Sequence, residues 1–360
     1  MDLKIGYFGP FNPRHYRSRV IIKGLRKNGV EIIECNDQST SRLLRYIKIL
    51  ERQRKLDYDV IILGARGEYY GQPLVPLMRT ITKKPIVFDA VITLYETEVV
   101  DRQLIDHKSI KARALYLLDY YAFKNSDLVL ADTYAHARYY SWFYHIELNK
   151  FRKLPVGSDD EVFYPRITKE EKDHFLVMFW GGFAPLHGVS YIIKAAKILA
   201  PHRDIHFELR GYGQTYNEAL ALARSLDVEN VTFIPKWVPY EKFPNYVAKA
   251  DVCLGIFGGT EKALRVIPTK AVESLAMKKP LITGDSPAAR EILRNGENCL
   301  LVPMANPKAL ADAILILRDD KKLRDKIAEK GYELFKKKLN PKAIGKELVS
   351  ILLELSEKFR

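Results

Sequence analysis

The stretch 261–285, EKALRVIPTKAVESLAMKKPLITGD, combines a helix start, a well-placed acid and a short apolar strand. Pro268 and Thr269 predict the helix start, because proline fits the first turn, where backbone N–H groups lack partners. Those N–H groups and the helix dipole favour a bound anion. Lys270 and Glu273 follow on the same helix. One interpretation is a nucleotide-diphosphate site with a carboxylate for sugar hydroxyls; the other is an ordinary α/β crossover with solvated charges.

Strand and helix signals alternate on both sides of this stretch. The first half contains the apolar segments LKIGYFG, VEIIEC, DVIILG, PIVFDA and DLVLAD, separated by segments of helical period such as RSRVIIKGLRKNG. The second half repeats the alternation from FLVMFWGG to NCLLVP. This alternation predicts doubly wound parallel sheets. Between the halves, residues 154–172 cluster Gly, Pro and charge without periodicity, which predicts a hinge.

Length and composition predict two ordinary globular domains. The chain has 360 residues and 47% hydrophobic content, enough for two separate cores. No run of about 18 apolar residues occurs, so we expect no transmembrane helix. The first residues, MDLKIGYFGPF, lack the layout of a signal peptide. Cys35, Cys253 and Cys299 lack metal spacing and are expected to be buried thiols. A cytoplasmic protein is therefore predicted.

The net charge of +14 raises the question of a polyanionic partner. Lys and Arg are spread over the chain, with denser patches at 42–55 and 319–343, whereas nucleic-acid binders concentrate charge on one face and interleave aromatics. No nucleic-acid partner is expected. A basic surface also suits acidic sugar donors or lipid headgroups. The basic amphipathic helix at 41–55 raises the hypothesis of peripheral contact with an anionic membrane, with a solvated face as the alternative.

The segment PTKAVESLAMKKPLI resembles the donor-site helix of glycosyltransferase family 4, the retaining GT-B enzymes also described as glycosyl transferases group 1. Three more blocks resemble that family: FWGGFAPLHG at 179–188, FELRGYG at 207–213, and VTFIPKWVPYEKFPNYVAKADVC at 231–253. The order and spacing of the four blocks make the resemblance specific, and it extends over nearly the whole chain. It implies a GT-B fold, with two Rossmann-like doubly wound domains facing a cleft and a C-terminal helix returning to the N-terminal domain.

The resemblance also implies a domain plan and an activity. We expect an acceptor-binding domain at 1–165, a nucleotide-sugar-binding domain at 166–340, and a helix at 341–360 that packs back on the first domain. The implied activity is a retaining, metal-independent transfer of a sugar from an NDP-sugar to a glycan or lipid-linked acceptor, in glycan biosynthesis, with no metal or cofactor. A nucleotide-sugar epimerase of the same fold and a non-catalytic nucleotide-sugar-binding protein are the alternatives.

Two departures from the family pattern make the non-catalytic alternative plausible. Many members carry Glu eight positions before the residue that corresponds to Glu273, but here that position is Arg265. The usual Arg and Lys of the glycine-rich turn are also missing, with Gly182 and His187 at or near their places. Loss of two cations weakens a diphosphate site unless others replace them. Arg265, Lys262 and Lys270 are the candidate replacements.

Candidate donor-binding residues follow from the resemblance and from the rule that doubly wound sheets bind ligands at the carboxyl ends of strands. They are Gly182, Phe183, Arg210, Lys236, Glu261, Pro268, Thr269, Lys270 and Glu273. Glu273 is expected to accept both hydroxyls of a ribose. Arg210 would contact phosphate, and Lys236 lies where the resemblance implies a packed nucleobase. A solvated loop or an ordinary core position is the structural alternative for each residue.

Asp89, His187 and Arg265 are the candidates for catalysis. Asp89 ends the strand PIVFDA near the position where the resemblance implies a functional histidine, so it would contact the transferred sugar or sense charge at the anomeric carbon. A helix-capping or loop-tying role is its alternative. His187 lies at the mouth of a helix and would donate to the diphosphate. Arg265 would supply positive charge beside it.

Gly9, Arg14, Arg66 and Arg102 are the candidates on the acceptor side. Gly9 ends the first strand and permits close approach of the backbone to a ligand. The arginines would meet a phosphate or an acidic acceptor. Solvated loops, and salt bridges between neighbouring charges, are the alternatives for this group.

Overall fold

A computed structural model of the chain describes residues 3–13, 15–37, 41–64, 71–167 and 173–359. The chain divides into two compact units. The first comprises Met1–Asp159 and Asn340–Arg360, and the second comprises Asp160–Leu339. The unit boundaries lie after residue 159 and after residue 339. The sequence predicts boundaries after residue 165 and after residue 340.

The first unit is built on a six-stranded parallel sheet. Its strands are β1 (Lys4–Gly9), β2 (Glu31–Asn36), β3 (Val60–Leu63), β4 (Ile86–Asp89), β5 (Leu128–Ala131) and β6 (Phe151–Lys153). They lie in the order β2-β1-β3-β4-β5-β6. The helices of this part of the chain are α1 (Tyr16–Lys27), α2 (Arg42–Gln53), α3 (Leu74–Arg79), α4 (Ile110–Asn125) and α5 (Tyr134–Tyr144). The same part of the chain also forms a π-helix, Glu96–Asp101, and a 3-10 helix, Leu148–Lys150.

The second unit repeats this architecture. Its strands are β7 (Phe175–Trp180), β8 (Ile205–Arg210), β9 (Val231–Ile234), β10 (Val252–Leu254), β11 (Leu281–Asp285) and β12 (Leu300–Pro303), in the parallel order β12-β11-β10-β7-β8-β9. Its α-helices are α6 (Val189–Ile198), α7 (Tyr216–Ser225), α8 (Pro244–Val247), α9 (Thr269–Ala276), α10 (Pro307–Asp319) and α11 (Lys321–Leu334). Short 3-10 helices span Pro185–His187, Tyr240–Lys242, Glu261–Leu264 and Ala289–Glu291, and Phe335–Leu339 is a π-helix.

The central strands are apolar along their whole length because helices cover both faces of each sheet. In β3, β5 and β10 every residue is buried. The main core of the second unit packs β7 and β8, including Phe179 and Phe207, against helices α6 and α10. This packing holds the carboxyl ends of the strands in one fixed row, where ligands of such sheets bind.

The last helix, α12 (Pro341–Glu357), packs on α1 of the first unit. Ile344, Leu348 and Leu352 share a core with residues of α1 and β1. Gly24 and Gly345 allow the two backbones to touch, since a Cβ built on Gly345 would lie 2.1 Å from the Gly24 carbonyl oxygen. The predicted return of the C-terminal helix to the N-terminal domain is confirmed.

Two further features concern the cysteines and the apolar content of the helices. Cys35, Cys253 and Cys299 are buried free thiols, as predicted. Across the described ranges, no helix is both long and apolar enough to cross a membrane.

Candidate functional site

The strand order of the second unit reverses between β7 and β10, and the loops that follow these two strands meet there. The Gly258 N–H donates to the Leu186 carbonyl at 3.1 Å. A Cβ built on Gly188 would lie 2.4 Å from the Gly258 nitrogen, so this contact needs glycine. Open α/β sheets bind ligands at such a reversal of strand order. The glycine-rich turn and the loop before α9 therefore form the candidate site.

Lys270, in the first turn of α9, places an ammonium group at this point. Its side chain is only 5% exposed, and Nζ has no hydrogen-bond partner among the described residues. Nζ lies 4.3 Å from the centroid of the Phe179 ring. It also lies beside Gly181, whose φ of +119° strains any residue with a side chain, and a Cβ built there would lie 3.1 Å from Lys270 Cε and 3.3 Å from Nζ. Burial lowers the pKa of Lys270 to about 7, against the attraction of Glu273.

Glu273 lies one turn further along α9 and is 6% exposed. Its Oε2 accepts a hydrogen bond from Trp180 Nε1 at 2.9 Å. Burial raises the pKa of this carboxyl to about 7, while the Trp180 N–H and Lys270 oppose the shift. Acceptance of both ribose hydroxyls by Glu273 stays a prediction, and Oε2 would have to accept a hydroxyl in addition to the Trp180 N–H.

The glycine-rich turn is held from within. His187 Nδ1 donates to the Gly182 carbonyl, and its ring lies 5.9 Å from that of Phe179. The imidazole thus braces the turn, whose Gly182 is exposed. The predicted donor contact of Phe183 is disfavoured for its side chain, which is fully buried and packs edge-to-face against Phe179 and Tyr216. An apolar ring at that position gains more from the core than from solvent.

Arg210 ends β8 beside Trp180, with which it is in register. It forms an ion pair with Glu208, and its guanidinium lies 3.9 Å from the Tyr246 ring centroid. These contacts fix Arg210 at the carboxyl end of the strands. The ion pair with Glu208 also offsets part of the positive charge that a phosphate would meet. Lys236, in the loop after β9, is exposed, and the neighbouring Trp237 is 82% exposed.

The loop between β10 and α9 carries the remaining donor-side candidates. Arg265 Nη1 lies 3.3 Å from Glu261 Oε2, an ion pair in which the arginine is the more buried partner. Pro268 caps α9 in an extended conformation and Thr269 begins the helix, as the sequence predicted. The structure thus brings Lys270, Glu273, Gly182 and His187 to one end of the sheet, whereas the Arg265 charge is paired with Glu261.

In the first unit the strand order reverses between β1 and β3. Gly9 ends β1 with φ +141°, and a Cβ there would lie 2.2 Å from the Gly64 carbonyl oxygen. Glycine at this position is required by the protein's own backbone. Arg14 and Arg66 lie outside the described residues. Arg102 is half-exposed, and its Nη1 lies 3.5 Å from Glu98 Oε1.

Asp89 lies in a buried ion pair with Arg17. Arg17 Nη2 and Nε donate to the carboxylate at 2.9 and 3.1 Å, and Nη1 donates to the Leu154 and Pro155 carbonyls. Both side chains are almost fully excluded from solvent. This geometry favours the loop-tying alternative for Asp89 over the expected sugar contact, because a buried carboxylate with a bidentate partner has little capacity left for a ligand.

Sequence reasoning missed a second buried charge cluster near the carboxyl end of β5. His136 Nδ1 lies 2.8 Å from Asp132 Oδ1, and its Nε2 lies 2.8 Å from Glu96 Oε2. Burial disfavours the imidazolium, but the Glu96 and Asp132 carboxylates outweigh it and raise the His136 pKa to about 9. The spacing of Asp132 and His136 hints at this pair. Glu96 is 40 residues away, and no local pattern connects it.

Comparison with known proteins identifies the second unit. Residues 160–334 match the model of the family described as Glycosyl transferases group 1. The match covers the unit that carries the candidate site and confirms the resemblance to glycosyl transferases group 1 there.

Two curated relatives illustrate the match. Alpha-D-kanosaminyltransferase of Streptomyces kanamyceticus is 26% identical over 184 residues, covering 51% of this chain and 46% of that protein. D-inositol 3-phosphate glycosyltransferase of Acidothermus cellulolyticus is 25% identical over 288 residues, covering 73% of this chain and 60% of that protein. The chain thus aligns with only about half the length of the curated relatives it matches.

Solved structures show the fold over almost the whole chain. Sucrose-phosphate synthase from Thermosynechococcus elongatus superimposes with a TM-score of 0.75 at 16% identity, covering 98% of this chain and 99% of that one. Anabaena Alr3699/HepE in complex with UDP-glucose superimposes with a TM-score of 0.72 at 15% identity, covering 98% and 100%. The predicted GT-B fold is confirmed. Among the described residues, no group of three or more His, Cys, Asp or Glu could hold a metal ion.

Proposed function

We propose that this chain is a glycosyltransferase that binds an NDP-sugar in its second unit. The observation that carries the proposal is the buried Lys270 ammonium, which has no hydrogen-bond partner among the described residues. Leaving a buried cation without a partner is unfavourable, so such groups mark ligand sites. It sits in the first turn of α9, where helix N–H groups add to the attraction of a phosphate.

The chemistry follows from this charge. When the sugar leaves the donor, negative charge develops on the diphosphate, and the Lys270 ammonium with the α9 N–H groups would stabilise it. These groups would do the work that a divalent cation does in other phosphate chemistry, so we propose a metal-independent reaction. Retention of configuration at the anomeric carbon is proposed from the family resemblance. The UDP-glucose bound to the structural neighbour HepE supports an NDP-sugar as donor.

For the acceptor we propose a glycan or a lipid-linked sugar that contacts the first unit. Support comes from the names of relatives, which include a capsular polysaccharide biosynthesis glycosyltransferase of Staphylococcus aureus and a phosphatidyl-myo-inositol mannosyltransferase of Mycobacterium leprae. Helix α2 displays exposed Leu44 and Ile47 together with Lys48 and Arg52. We propose that this face meets an anionic membrane from the cytoplasmic side.

The first test is calorimetric binding of UDP, GDP, ADP and dTDP to the wild type and to Glu273→Ala. We expect one diphosphate to bind at micromolar affinity and to lose at least about tenfold in the variant, as expected for loss of a buried charge-assisted hydrogen bond. Glu297→Ala is the matched control, because this acid lies outside the site, and should bind like the wild type. Failure of all four diphosphates to bind would overturn the donor-site assignment.

Turnover distinguishes the proposal from its rivals. A glycosyltransferase should consume the matching NDP-sugar faster when an acceptor is added. Conversion of the NDP-sugar into its epimer without acceptor would instead identify an epimerase. Tight binding with no turnover across an acceptor panel would favour a non-catalytic binding protein.

A further inference from the structure

Trp180 makes a contact with the candidate site that its position in the sequence does not reveal. It is the last residue of β7, and its indole is buried. Its Nε1–H donates to Glu273 Oε2 at 2.9 Å, across 93 residues of sequence. The indole also packs against the Phe243 ring, with the two ring centroids 5.8 Å apart. The indole is therefore fixed both by the sheet and by packing.

This hydrogen bond determines what the carboxylate can do. An indole N–H donates one hydrogen bond and accepts none, so it occupies one acceptor oxygen of Glu273. Within the described ranges no other hydrogen bond reaches this carboxylate. Oε1 therefore keeps its capacity to accept, and the fixed Oε2 restricts rotation of the carboxylate plane.

We propose that Trp180 is a positioning residue that orients Glu273 to accept a ribose hydroxyl through Oε1. This inference rests on the proposed function, because it assumes a nucleotide in the second unit. Its ligand class is a nucleoside diphosphate with an intact ribose. Trp180 then contributes to discrimination against nucleotides that lack a ribose hydroxyl, and it does so through Glu273.

A purely structural role for Trp180 makes a different prediction. A buried indole N–H needs an acceptor, and Glu273 could serve only to satisfy it. In that case the loss of the N–H would affect all nucleotides alike, because the oriented carboxylate would make no contact with the ribose. The ratio of affinities for the intact and deoxygenated ribose separates the two roles.

The test uses the full chain and the variant Trp180→Phe, which keeps an aromatic ring and removes the N–H. The probes are the nucleoside diphosphate that the wild type binds best and its 2′-deoxy and 3′-deoxy forms. In the wild type we expect at least one deoxy form to bind about tenfold more weakly, the size of one charge-assisted hydrogen bond. In Trp180→Phe that ratio should fall to about one or two, mainly through weaker binding of the intact nucleotide.

Phe243→Leu is the matched control, because Phe243 packs on the indole and makes no hydrogen bond to Glu273. It should leave the ratio of affinities at the wild-type value. An unchanged ratio in Trp180→Phe would overturn the proposal. So would a wild type that binds intact and deoxy forms equally, a result that needs no variant. If the wild type binds no nucleoside diphosphate at all, the proposed function itself fails, and this outcome is distinct from the other two.

Discussion

At the scale of single residues, Lys270 shows a conflict between stability and binding. A buried polar group without a hydrogen-bond partner costs about 1–3 kcal/mol of folding free energy in proteins. Lys270 Nζ lies 4.3 Å from the centroid of the Phe179 ring and is attracted by the charge of Glu273. The unfavourable burial is relieved when an anion binds, so the residue that weakens the free protein is the one expected to strengthen the complex.

Replacement of Lys270 by methionine should therefore stabilise the free protein and abolish diphosphate binding. Methionine retains the volume and flexibility of the side chain without the charge. We expect the free energy of unfolding to rise by roughly 1–2 kcal/mol, because the burial penalty disappears. Thermal unfolding without ligand, followed by calorimetry with the best-binding diphosphate, measures both effects.

Lys308→Met is the control for this experiment, since Lys308 is exposed on α10. It should leave both stability and binding close to those of the wild type. A Lys270→Met protein that is less stable than the wild type, or that still binds diphosphate at wild-type affinity, would contradict the assignment.

At the scale of elements, the helix pair α1 and α12 determines how the C-terminal segment completes the first unit. The two helices share an apolar core that includes Leu25 and Leu348. Their closest approach is at Gly24 and Gly345, where backbone meets backbone. Glycine lowers helix propensity by about 1 kcal/mol relative to alanine. Its presence in two packed helices is explained by the close contact.

Gly345→Ala should destabilise the first unit even though it improves helix propensity. The added Cβ would lie 2.1 Å from the Gly24 carbonyl oxygen, so the helices must separate. Overpacking of this kind costs typically 1–3 kcal/mol, which exceeds the gain of about 1 kcal/mol from propensity. Urea unfolding of the full chain is the measurement.

Ser350→Ala, on the exposed face of the same helix, is the matched control and should not destabilise. Equal or greater stability of Gly345→Ala would mean that the contact between the glycines does not determine the packing of α12.

The elements also differ in how far the sequence predicted them. Apolar strands such as β3 and β5 are predicted because burial on both faces makes them continuous hydrophobic runs. No local pattern predicts an element for residues 134–153, which form α5, a 3-10 helix and β6. Strand β6 has three residues, two of them basic, and pairs only along one edge. A short edge strand carries too little periodicity for a local pattern to identify it.

At the scale of the whole molecule, the chain leaves the first unit at residue 159 and returns to it at residue 340. The second unit, which carries the donor-site candidates, is continuous in sequence. The first unit needs both ends of the chain, because α12 covers apolar residues of α1. The two units therefore depend differently on the C-terminal residues.

A chain ending at Leu339 should lose the fold of the first unit and keep nucleotide binding. Without α12, Val20, Ile21 and Leu25 of α1 lose part of their apolar cover. Limited proteolysis should then cut residues 1–159 rapidly, while calorimetry still detects the diphosphate. Removal of only Phe359 and Arg360 is the control. Loss of nucleotide binding in the longer truncation would show that the second unit depends on α12.

The sequence by itself determined the parallel sheets, the start of α9 directly after Pro268 and the resemblance of the second unit to glycosyl transferases group 1. These features depend on residues close together in the chain: apolar runs, a proline just before a helix, and motifs of fixed spacing. Only the tertiary structure determined which charged groups are buried and which are paired. It joined Trp180 to Glu273 and Arg17 to Asp89, and it buried Lys270 Nζ with no hydrogen-bond partner among the described residues. Burial and ion pairing depend on which elements fold against each other, and the spacing of residues along the chain does not predict those contacts.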